Sequence, residues 1–187
     1  MSLVELIAQA DECGLAAGGL ACLDRCVPLL GGDDEILRPL WASLADGADW
    51  ARRLAEARGG LEAQAPDAAS ACEDEAAVLA RAMLAAAPDD PSGDALRAWA
   101  DTCSVGALQI HQLLDASDDG SAPVADRREG RTEDMSPLVA AELRRQITVL
   151  ELLAEHGKGG LRPALEASTE GRRVLRAVVS RRARGRG

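Results

Sequence analysis

The sequence predicts an all-α protein: a bundle of about six to eight helices in antiparallel hairpins, with a C-terminal helical arm. Three observations carry this. There is no Phe or Tyr, and Trp occurs only at 41, 50 and 99, so the side chains that strands favour are nearly missing. Alanine dominates, with Leu, Arg and Glu behind it, a composition of strong helix formers. Apolar residues recur at three- and four-residue spacing in segment after segment. At 187 residues and 47% hydrophobic, the chain has the length for one domain with its own core.

The elements follow in order. Ser2 and Glu5 form a capping box, and Leu3, Leu6, Ile7, Ala10 and Cys13 continue at helical spacing to a stop at Gly14. A second helix over about 15–27 is apolar almost all round and should be buried; Gly18-Gly19 inside it points to close helix contact. Pro28 and Gly31-Gly32 end it. Asp33 or Asp34 can cap the next stripe, Ile36, Leu37, Leu40, Trp41 and Leu44, in which Pro39 kinks a helix or starts one. Asp46-Gly47 can split that stretch from Trp50, Leu54 and Ala55, which run to a stop at Gly59-Gly60. Ser70 and Glu73 form a second capping box, before Cys72, Ala76, Leu79, Met83 and Ala86. Residues 88–93 are a loop. Leu96, Trp99, Cys103, Gly106, Ile110 and Leu113 then step by three and four, a heptad-like seam. Ser136-Pro137 restarts helix as N-cap and N1, with Val139, Leu143, Ile147, Leu150 and Ala154 leading to Gly157. A last helix spans about 161–182 and ends in a basic tail. No motif recurs at a repeat-protein period.

Charge divides the chain into an acidic helical bundle (1–115), a flexible polar linker (116–135) and a basic arm (136–187). Residues 1–120 carry 22 acids against 7 arginines, and residues 121–187 carry 9 acids against 14 cations. An acidic body is a poor nucleic-acid surface, which leaves nucleic acid only the tail. The tail can also dock on the acidic body of its own chain. Arg outnumbers Lys twenty to one, as in the codon usage of a GC-rich genome, which weakens arguments from arginine counts. No stretch is long and apolar enough to span a membrane. Glu5, Asp11 and Glu12 spoil a secretory signal, and five cysteines suit reduced thiols; the expected compartment is the cytoplasm.

Four groups of residues could carry chemistry or binding. Cys22 and Cys26 share a helix face at i,i+4 spacing and Cys13 lies across a turn, which suits a metal or redox site; buried inert thiols are the stronger reading. Lys158, Gly159, Gly160 and Arg162 form a glycine-rich turn before a helix, the elements of an anion site. Asp115, Ser117, Asp119 and Asp126 match calcium-loop positions, yet the exit segment has no apolar stripe and Pro123 interrupts it; an acidic linker fits better. Arg172, Arg173, Arg176, Arg181 and Arg182 make a basic face, with Val174, Leu175, Val178 and Val179 on an apolar side of the same helix.

No local catalytic constellation is legible. Cys103 and His111 are eight residues apart on one helix, a rise of about 12 Å, too far to hydrogen-bond. A catalytic role assembled across helices stays open, but no cofactor is expected and an enzyme is the weaker expectation. The leading expectation is a binding protein, an adaptor, regulator or subunit, whose partner is another protein met through a helical groove. A thiol or metal protein, and a nucleic-acid or anion binder acting through the tail, are the alternatives. A homo-oligomer is open.

Overall fold

The computed structural model describes residues 1–63, 74–116 and 123–185, and those residues form helices and turns with no strand. The capping box opens helix α1 (Leu3–Gln9): Ser2 Oγ accepts from the Glu5 amide, and Glu5 Oε2 accepts from the Ser2 amide at 2.7 Å. Gly14 does not end this helix. The break comes earlier, where Ala10 turns extended and Asp11 accepts from the Gly14 amide at 2.7 Å, starting α2 (Glu12–Cys26). The aspartate wins because its oxygen satisfies an orphan amide of the new helix.

A 3-10 turn over Val27–Leu29 follows. Pro39 starts α3 (Arg38–Asp46) from its first turn, and Gly47, at φ +72°, ends it. Helix α4 (Trp50–Ala63) runs through Gly59-Gly60, where a stop was expected. A Cβ on Gly60 would stand 2.8 Å from Ile36 Cδ1, so this glycine serves close approach, not termination. Asp74 caps α5 (Glu75–Ala85); the expected Ser70–Glu73 box and Cys72 lie outside the described residues. The long α6 (Gly93–Leu114), the short α7 (Val124–Arg128), α8 (Pro137–His156), a 3-10 turn over Gly157–Gly160 and α9 (Leu161–Gly185) complete the chain.

Helix α2 is the hub, packed on α6, α8 and α9. Its two central glycines set two of those contacts. A Cβ on Gly19 would stand 2.9 Å from the Trp99 ring of α6, and one on Gly18 would stand 3.2 Å from Leu150 of α8. Trp99 is buried, donates its indole N–H to the Met83 carbonyl of α5 at 2.9 Å, and meets Trp50 edge-on at 5.9 Å. Five members of the predicted α6 seam are buried, whereas the sixth, Leu113, is 38% exposed.

The basic arm docks on the acidic body. Arg172 pairs with Asp24 of α2 at 2.8 Å, both side chains almost fully buried, and Arg176 pairs with Asp34. Gly171 allows this approach, since a Cβ there would stand 2.4 Å from Arg25 Cδ. In the region read as a polar linker, residues 124–128 form α7, anchored by Arg128, which donates to Ser104 Oγ at 3.1 Å and pairs with Asp101 of α6.

Candidate functional site

An open groove of about 850 Å³ lies where the end of α6 meets the start of α8 and the second half of α9. Leu114, Leu138, Ala141, Val174 and Val178 line it with apolar surface, and Arg181 and Arg182 stand on one wall. Local folding explains its shape. Ser136 begins α8 without a side-chain cap bond, and Asp115 supplies one from the end of α6, accepting from the Leu138 amide at 3.1 Å. Arg182 closes the other side by donating to the Leu113 carbonyl at 2.7 Å, where α6 leaves unpaired carbonyls. Thus α8 and α9 are tied to one end of α6, with the hollow between them.

The bundle also holds a buried polar network. Arg25 of α2 grips Glu142 of α8 with two bonds, Nε to Oε2 at 2.7 Å and Nη2 to Oε1 at 2.6 Å, with neither side chain exposed. Gln146 donates to Glu142 Oε1 at 2.9 Å and to the Ser104 carbonyl at 3.2 Å, while accepting from Ser104 Oγ at 2.7 Å. His111 donates from Nδ1 to the Ala107 carbonyl at 2.7 Å, and its Nε2 lies 3.5 Å from Glu142 Oε2. Burial pushes Glu142 up, but the Arg25 guanidinium and His111 outweigh it and hold its carboxyl below the usual range. Burial lowers His111, against the pull of Glu142. Burial raises Asp24 to about 6, against the pull of Arg172 and Arg25.

The residues singled out in the sequence fall apart into separate settings. Cys22 and Cys26 are buried in the core, and burial drives the Cys22 thiol up to about 12 and Cys26 well above its ordinary value. Arg25 Nη2 donates to Cys22 Sγ at 3.4 Å. Cys13 is half-buried, and burial raises its pKa as well. None of the three is poised as a thiolate. Among the described residues, no three His, Cys, Asp or Glu side chains are grouped to hold a metal ion.

Lys158 reaches the Ala45 carbonyl at 3.3 Å, Gly160 packs against the Leu152 carbonyl, and Arg162 pairs with Glu166 at 3.1 Å, so Lys158 and Arg162 are engaged apart from each other. Ser117 and Asp119 of the calcium-loop pattern lie outside the described residues. Asp126 pairs with Arg131 at 2.5 Å, and Asp115 caps α8. Of the tail arginines, Arg172 and Arg176 hold α9 to the body, Arg181 and Arg182 line the groove, and Arg173 is exposed.

The sequence reading named Val174 and Val178 as an apolar side of the last helix but missed Leu138 and Ala141 across from them. It also missed Arg25 and Glu142. The available signals were the adjacent Asp24 and Arg25 inside a helix that is apolar from Leu15 to Leu23 and a Glu142–Gln146 pair at i,i+4 on the buried face of α8. Comparison of the chain with protein families, curated proteins and solved structures finds no match in any of the three.

Proposed function

We propose that this protein is a docking module, an adaptor, regulator or complex subunit that seats a helical segment of a partner protein in the groove between α6, α8 and α9. The groove itself carries the reading. It is open and lined mainly by apolar side chains from three helices, and Leu113 among them is partly exposed, a surface suited to the apolar stripe of an amphipathic helix. Its walls are regular helices fixed by Asp115 and Arg182, so little ordering is needed on binding. Cys22, Cys26, Cys103 and His111 are sealed in the core, out of reach of a substrate.

A displayed library of helical peptides, selected on the intact protein alone and then titrated against Val178→Asp, tests this. Peptides that bind the native protein and lose at least tenfold on Val178→Asp, with the variant's circular dichroism unchanged, are expected. Selected peptides that bind both proteins equally would sink the groove as the docking site.

A further inference from the structure

We infer that the helix seated in this groove carries acidic residues beside its apolar stripe, and that Arg181 and Arg182 read them; this rests on the docking reading above. Val174, Val178, Arg181 and Arg182 follow one another at i, i+4, i+7 and i+8 on α9, so one face changes from apolar to basic along the groove. From Val178 to Arg182 the rise is about 6 Å, roughly one turn of a bound helix. The complementary segment therefore has an apolar stripe followed, about a turn later, by Glu or Asp.

Pairing on α9 separates two kinds of arginine. Arg172 and Arg176 have acids of the body within ion-pair distance, at Asp24 and Asp34. Arg181 and Arg182 have no carboxylate within 4 Å among the described residues; their hydrogen bonds go to the carbonyls of Ala177 and Leu113. Those carbonyls orient the guanidinium groups without neutralising them. A basic last turn complements a helix dipole from any side of the helix, yet Arg181 and Arg182 both stand at the groove wall. The acid that lines the groove, Asp115, caps the first turn of α8. A local positive wall on a chain of net charge −10 acts only at short range, because salt screens charge beyond about 8 Å. It therefore selects among helices already in the groove.

Other anionic partners fit less well. A nucleic acid has no apolar stripe to fill the floor, and no Phe or Tyr is present to stack its bases. A bilayer surface is too broad to enter a hollow between helices.

The test is fluorescence-anisotropy titration of the full chain with three synthetic helical peptides of one leucine stripe, flanked by Glu, Gln or Lys. The expected order is Glu tighter than Gln tighter than Lys, each step roughly fivefold to tenfold and shrinking in high salt. In Arg181→Glu/Arg182→Glu the order inverts. Equal affinity for the Glu and Gln peptides, or an order unchanged by the double reversal, overturns the acidic occupant and leaves the docking reading standing. If no peptide, synthetic or library-selected, depends on Val178, both readings fall. Concentration-dependent self-association broken by Val178→Asp makes the occupant a second copy. Val178-independent binding to phosphatidylserine vesicles makes it a membrane. Either of those results overturns the inference.

Discussion

The most consequential single residues are Arg25 and Glu142, which bring two opposite charges into the core of a bundle with no exposed atoms on either side chain. Removing one partner of such a pair strands the other, whereas replacing both with apolar groups of similar size is often tolerated. Glu142→Ala is expected to destabilise the fold by about 3–5 kcal/mol, and the pair Arg25→Met/Glu142→Leu by far less. Urea melts of the two variants check this; equal losses would show that Arg25 and Glu142 do not act as a pair.

Two other buried groups make stability depend on pH in opposite directions. Asp24 holds its proton more tightly folded, at about 6, than its ordinary 3.8. Its contribution is therefore full below about pH 4 and is lost as pH rises through 6. His111 is depressed by burial, so its contribution is present above about pH 6.5 and is lost as pH falls. Asp24→Asn should gain stability relative to the native chain between pH 4 and 6 and stay level above 7. A difference independent of pH would mean that Asp24 does not titrate in that window.

At the scale of the helix, this bundle uses cations of one helix to close the carbonyl end of another. Arg97 of α6 donates to the carbonyls of Ile7 and Ala8 at 2.7 and 3.0 Å, finishing α1. Arg58 of α4 donates to Ala85 and Ala87 at 3.2 and 2.7 Å, at the end of α5. Arg182 of α9 does the same for α6, and Lys158 bonds Ala45 in the last turn of α3. Last-turn carbonyls lack intrahelical partners and carry the negative end of the dipole, so guanidinium groups suit them. Arg97→Met should cost about 1–2 kcal/mol and raise amide exchange in α1 more than in α2. Uniform exchange across both would refute a local cap. Much of the arginine that codon bias explained in the sequence thus has a structural partner.

Element by element, legibility tracked how local the signal was. The Ser2–Glu5 box and the buried α2 read correctly, and Pro39 and Asp46-Gly47 read as breaks with the choice between kink and start left open, because each depends on residues within a turn or two. Gly14 and Gly60 misled because a glycine can end a helix or admit a neighbour, and only the neighbour tells which. At Gly60 that neighbour is Ile36; at Gly14 the side chain of Asp11 had already started the next helix. The groove was half legible: the apolar side of α9 was visible, its opposite wall on α8 was not.

For the whole molecule, the uneven charge of the sequence becomes an internal attachment. The arm is not an appendage but a wall of the core: Leu161, Ala164 and Leu175 are buried, and α9 packs on α2 and α8. A chain ending at His156 is expected to keep much of its helical circular dichroism but melt broadly and bind a hydrophobic dye. A sharp melt like that of the full chain would show that α9 is dispensable to the core.

The sequence alone determined that the chain is all-α, where several helices begin, and which faces are apolar. Those properties arise from propensity, capping and periodicity, which act over a few residues. The tertiary structure decided which arginines are sealed in, which glycines are contacts, and that three helix faces leave a basic-walled hollow. Arg25 and Glu142 stand 117 residues apart in the chain, and such pairings exist only once packing brings distant faces together.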